Sequence, residues 1–110
     1  MIQMLSRFNL KRDTDFETFE RNYYEFFERV KRKGLVETTG KIGQRISDTP
    51  MDTDAEDAQK YYVLMSFSDR NQMDQAYEYI SSPTADKEDL KPHSEVKLVV
   101  CDSVFTCWQE

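Results

Sequence analysis

Histidine occurs once in this chain, at His93, and that scarcity excludes a metal centre built on several imidazoles. Cysteine occurs twice, at Cys101 and Cys107. Six positions apart in one extended stretch, the two stand roughly 20 Å apart at about 3.3 Å per residue. That is too far for a disulfide, and no CxxC or Cys/His spacing marks a zinc site. Both are expected to pack as small hydrophobes. Glycine occurs three times. Gly40 and Gly43 form a GxxG, but no helix follows, so it does not cradle phosphate. No apolar run approaches the roughly 20 residues that cross a bilayer. The opening MIQMLSRFNLKR is too short and too broken for a secretory leader, and no Asn-x-Ser/Thr acceptor occurs. These absences predict a cytoplasmic chain.

Positive charge is also in short supply. Fifteen Lys and Arg stand against 21 Asp and Glu, a net charge of -6. Such a surface repels phosphate backbones and anionic membranes, so neither nucleic acid nor a membrane is an expected partner. Asp52, Asp54 and Glu56 imitate the start of a calcium loop. Its sixth position, though, holds Asp57 where Gly is needed, and its twelfth holds Val63 where Glu is needed. No metal and no cofactor are expected.

What the chain does have is rings and a readable order of elements. Its 110 residues suit one domain, spanning 1–110. Residues 1–9 alternate, with Ile2, Met4, Ser6 and Phe8 on one face and Gln3, Leu5 and Arg7 on the other, which predicts a strand. Thr14 and Glu17 match a capping box for a helix over about 15–33. Lys31, Arg32 and Lys33 complement its dipole at the far end, and Gly34 suits the left-handed position beyond it. Residues 35–47 read as a second strand weakened by Gly40 and Gly43. An acidic, solvated loop follows. Residues 59–68 read as a strand with Tyr61, Val63, Met65 and Phe67 on one face and Tyr62 and Leu64 on the other. Ser68 caps a second helix, whose stripe is Met73, Ala76, Tyr77 and Ile80. A short helical turn is expected over 84–90. From Ser94 onward about 15 residues look strand-like, far beyond the usual length, so a break near Asp102 and Ser103 or an extension past the sheet is expected.

The order β-α-β-β-α-β is that of the ferredoxin-like α+β fold: a four-stranded antiparallel sheet with two helices on one face. The other sheet face is left bare. The strand over 59–68 and residues 96–101 are apolar on both sides, and a second copy related by a two-fold axis is the simplest cover. The βαββαβ order, the length, the ring-rich first helix and the PHSEV stretch leading into the last strand resemble the dimeric α+β barrels, the superfamily that includes the antibiotic biosynthesis monooxygenase-like proteins. The resemblance spans nearly the whole chain. It implies two sheets paired into a barrel and, in many members, a small apolar molecule held between sheet and helices. Activities across that superfamily run from cofactor-free oxygenation through lactone isomerisation and haem degradation to binding alone, so fold does not choose among them.

The stretch FETFERNYYEFFERV holds six rings. Phe16, Phe19, Tyr23, Phe26, Phe27 and Val30 share one arc of the helix, and Tyr24 falls outside it. Ordinary packing accounts for most of these rings, and the rest line a cavity over small or polar strand residues such as Ser6, Gly43, Gln44 and Ser66. The leading reading is a homodimer that binds a small apolar molecule with a polar end, fatty-acyl or polyketide-like. Phe19, Tyr23 and Phe27 form the wall, Tyr77 closes it, and Tyr62 and His93 supply polar handles. Trp108 is expected to anchor the dimer. The alternative is a cofactor-independent monooxygenase or isomerase in which His93, from a loop, or a tyrosinate removes a proton. A dimeric interaction protein with a solid core is the third reading.

Overall fold

The computed structural model of the chain describes residues 1–53, 59–82 and 88–110. Asp54, Glu56 and Asp57 of the calcium-like stretch, and most of the turn expected over 84–90, lie outside the described residues. In chain order the elements are β1 (Ile2–Leu10), α1 (Phe16–Arg32), β2 (Thr38–Thr39), β3 (Gly43–Gln44), β4 (Tyr61–Phe67), α2 (Arg70–Ser81), α3 (Lys91–Val99) and β5 (Val100–Gln109). The sheet runs β2-β4-β1-β5, and β3 also pairs with β4. Every pairing is antiparallel. This is the ferredoxin-like arrangement, with one helix more than expected.

Strand parity places the core. Ile2, Met4, Ser6 and Phe8 stand opposite Phe67, Met65, Val63 and Tyr61, and these two rows meet the helices. Ile2, Phe8, Val63, Met65 and Phe67 are buried there with Phe19, Tyr23, Phe27 and Val30 of α1. The rings touch one another: Phe8 lies 5.5 Å from Phe19 and 5.8 Å from Tyr61, and Phe16 lies 5.7 Å from Tyr61. Tyr24, outside the expected stripe, packs edge-on against Tyr23 at 5.3 Å.

Helix α1 ends as its sequence predicts. Gly34 takes φ +74°, its N–H donates to Lys31 O, and Leu35 N–H reaches back to Val30 O; together these bonds satisfy carbonyls that a helix end leaves open. At the start the cap falls on Asp15, one residue later than expected, and its carboxylate accepts from the Thr18 hydroxyl at 2.5 Å. Thr14 turns the other way and donates to Lys11 O. Helix α2 likewise begins one residue late, capped by the Asp69 side chain on Gln72 N–H and not by Ser68.

Two expectations are corrected. The second strand shrinks to two pairs of residues, because Gly40 and Gly43 interrupt it. Gly40 still donates to Leu64 O, and Tyr62 covers Gly43 so closely that a Cβ there would enter the ring. The stretch after Lys91 is a helix, not the start of a strand. Pro92 sits in its first turn, where a missing N–H costs nothing, and Pro92, Val96 and Val99 turn inward at helical spacing. The break expected near Asp102 is present as a bulge: Asp102 has φ +55°, and the β1–β5 register shifts between Arg7 and Asn9.

Candidate functional site

Helix α3 runs alongside α1 in the opposite direction. Its beginning meets the far half of α1, where His93 lies 4.6 Å from the Phe26 ring. Its end meets the start of α1 and ties to the sheet through Lys11 N–H donating to Val99 O at 2.8 Å. Between these ends of the two helices opens a cleft of about 400 Å³. Phe19 and Val99 give it an apolar floor. The turn Lys11–Asp15 forms one side, Thr18 and Asn22 of α1 the second, and Glu95 of α3 the third. Asp13 curls that turn with φ +65°, a left-handed conformation that Asp tolerates better than bulkier residues.

The rim carries both signs of charge. Lys11 and Arg12 are exposed cations, and Asp13, Asp15 and Glu95 are exposed carboxylates. Asp15 is held below the usual carboxylate range, first by the Thr18 hydroxyl and then by backbone N–H groups of the first turn. Among the described residues no three His, Cys, Asp or Glu side chains converge as metal ligands.

The expected site residues divide. Phe19 is buried and reaches the cleft. Tyr23 and Phe27 are buried further along α1 in the ring cluster. The Tyr23 hydroxyl is already bonded to Thr39 Oγ1 at 2.7 Å, and burial pushes its pKa up to about 12. No tyrosinate forms there near neutral pH, so Tyr23 is not the tyrosinate base that the enzyme reading allowed. Tyr62 is corrected too. It lies on the back of the sheet, because parity gives the helix side to Tyr61. Tyr77 is 71% exposed on the outer side of α2 and closes nothing. His93 is helical, not in a loop, and points at Phe26 instead of lining the cleft; burial, aided by Lys97, lowers its pKa below the ordinary value. Trp108 is 60% exposed and shares the back face with Gln3. The two cysteines do not pack as buried hydrophobes. Cys107 is exposed and Cys101 half-buried, and the bulge sends them to opposite faces.

The cleft's polar side is not legible from the sequence pattern. Its residues come from a turn and from α3, and α3 reads as a strand from its valines alone. The available signal was the run KRDTD between a strand and a helix start.

Tyr23 offers a direct check on this geometry. Its raised pKa means that the unfolded chain ionises first, near pH 10, and the folded chain only near pH 12. The stability it contributes is therefore full below pH 10 and lost as pH rises to 12. Tyr23→Phe should cost about 1 kcal/mol at neutral pH and should flatten this alkaline loss in urea titrations taken at successive pH values.

No protein-family model matches the chain, and no curated protein matches it. Solved structures do. The Arabidopsis thaliana protein At3g17210 superposes with a TM-score of 0.73 at 8% identity, over 100% of this chain and 95% of that one. A dimeric ferredoxin-like protein of unknown function from Jannaschia sp. CCS1 gives 0.67 at 9%, over 99% and 98%. A variant of SnoaB, a cofactor-independent oxygenase from Streptomyces nogalater, gives 0.66 at 12%, over 99% and 91%. The chain shares with these structures the ferredoxin-like α+β fold. At such identities the likeness is one of fold alone, and fold does not choose the chemistry.

Proposed function

We propose that the protein is a homodimer that binds a small molecule with an apolar body and a polar end, fatty-acyl or polyketide-like, in the cleft between α1, α3 and the turn after β1. The observation that carries this reading is the cleft's make-up: a floor of Phe19 and Val99 beneath a rim of opposed charges. An apolar hollow with a few convergent polar groups is the usual form of a small-molecule site. Lys11 and Arg12, and not Tyr62 and His93, are the polar handles. Tyr23 and Phe27 support Phe19 from behind.

The dimer has its own support. The accessible surface is 7643 Å² for a 13.1 kDa chain, where roughly 6,400 Å² is usual for a folded monomer of that mass. The excess exceeds the roughly 800 Å² that each partner gives to a standard interface. The chain is 20 Å deep along its shortest axis, about the depth of one sheet and one helix layer.

Native mass spectrometry of the purified protein, with thermal shifts across a series of acyl chains and aromatic polyketides, tests the reading. A co-purifying hydrophobic compound and a ligand-dependent rise in Tm are expected. Val99→Asp, which sets a charge in the floor, should remove that rise and leave the circular dichroism spectrum unchanged. Repeated preparations without ligand, and no shift from any compound, end the idea.

A cofactor-independent oxygenase is the second reading, favoured by the fold shared with SnoaB. It needs a base at the cleft. Neither His93 nor Tyr23 is placed to serve, so Asp13 and Glu95 are the groups to replace. Turnover of an identified substrate that survives the loss of both would exclude them.

A further inference from the structure

Helix α3 makes one wall of the cleft, yet Pro92 is its one buried residue. Side chains fasten it at its N-terminal end. Arg29 of α1 donates to Glu88 O at 2.6 Å. Asp89 accepts from the Tyr79 hydroxyl and lies 3.2 Å from Lys33 Nζ. One turn further on, the His93 ring lies against Phe26 with 33° between the planes. Phe26, Arg29 and Lys33 form a single stripe of α1, so the fastening is one continuous row. His93 is its one group that titrates near neutral pH.

We propose that His93 is a proton-operated pin for α3: neutral, it lies on Phe26 and holds α3 along α1; protonated, it leaves that ring and frees the wall that carries Glu95 and Val99. This rests on the cleft being the binding site. An imidazolium in this place loses hydration and gains little. The charged groups on the surrounding elements are Lys97 on α3, Glu25, Arg29 and Lys33 on α1, and Glu88 and Asp89 in the turn. Of the acids, Glu25 pairs with Arg29 at 3.1 Å and Asp89 is held by Lys33 and Tyr79. The aromatic face of Phe26 attracts a cation, but more weakly than the lost water did. Burial and Lys97 accordingly set the folded pKa below the ordinary histidine value. A depressed folded pKa means that the pin holds fully above about pH 6.5 and gives way as pH falls toward the folded value. Acidification therefore loosens the cleft wall and lowers affinity for the bound molecule.

Amide hydrogen exchange over residues 93–99 of the full chain, between about pH 7.5 and about pH 5, reads the pin without any ligand. After correction for intrinsic rates, protection of α3 should fall roughly tenfold for each unit by which the folded pKa is depressed. His93→Phe keeps a ring on Phe26 and removes the proton, so its α3 protection should not change with pH. His93→Gln, smaller and uncharged, should be equally flat should the Phe variant fold poorly. Decanoate serves as the cleft probe. In the wild type its affinity should fall with α3 protection, and in His93→Phe it should not. Identical pH profiles for wild type and both variants, or a wild type whose α3 protection is flat, overturn the pin. Decanoate failing to bind at every pH, with the exchange difference intact, overturns the cleft reading and supports the pin.

Discussion

Phe8→Ala should lower the free energy of unfolding by about 3–5 kcal/mol, the usual cost of truncating a buried aromatic to Ala. Phe8 is 5% exposed near the C-terminal end of β1, an inner strand of the sheet. It touches Phe19 of α1 on one side and Tyr61 of β4 on the other, so its loss opens a void where helix and sheet meet. Rings are stiff, and neighbours of this size cannot collapse into such a space without leaving their own contacts. Small domains hold only about 5–15 kcal/mol in all, so this one substitution removes a large share. Equilibrium urea unfolding measures it. A loss below about 1 kcal/mol would mean that the rings are loosely seated and that the space between α1 and the sheet is a cavity after all. Phe26→Ala makes the contrast. Phe26 is half-buried against His93, so its loss should cost less and should fall mainly on α3.

The sequence displayed the framework of this fold well where one signal acted alone. Alternation in residues 1–9 and 59–68 predicted both central strands and both of their faces. The Schellman ending at Gly34 followed from a basic last turn and a glycine in its place. Where two signals competed, pattern reading chose the wrong one. Val96, Val99 and Val100 are β-formers by propensity, yet Pro92, Val96 and Val99 also carry a helical period, and packing along α1 decides for the helix. The 13-residue second strand failed for a related reason. Backbone pairing persists through Gly40 and Gly43, but two glycines leave no side chains to hold a ladder, and Tyr62 lies over the gap.

The candidate site was less legible than the fold, and the cause is geometric. Tyr62 and Tyr61 are equal as residue types, but their opposite parity sends one to the back of the sheet and the other into the ring cluster. Tyr77 is one residue beyond Ala76, and that 100° turn takes it from the buried side of α2 into solvent. Lys11, Arg12 and Asp13 gain their meaning only from a left-handed turn and from a helix 80 residues away. Nothing local announces such a meeting.

Leu64→Lys should convert a dimer into monomers with little change in the stability of the chain itself. Leu64 is 38% exposed on the back of the sheet, opposite Leu5. Tyr62, Val104 and Trp108 share that face at 44%, 36% and 60% exposure. Large apolar side chains in such a row, with no element behind them among the described residues, are what a sheet offers to a covering partner. Under two-fold symmetry the substitution enters the interface twice, and each lysine must either be buried without a counter-ion or push the sheets apart. Several kcal/mol follow, so Kd should rise about 100-fold or more. Within the isolated chain the same lysine points into water, so chain stability should move by no more than roughly 0.5 kcal/mol. Sedimentation velocity across a concentration series separates the outcomes. A wild type that sediments as a monomer at tens of micromolar removes the second copy, and the barrel with it. A wild type and a Leu64→Lys variant that dimerise equally well point to a contact elsewhere, the outer edge of β5 being the first surface to examine, since that strand pairs with β1 alone among the described residues.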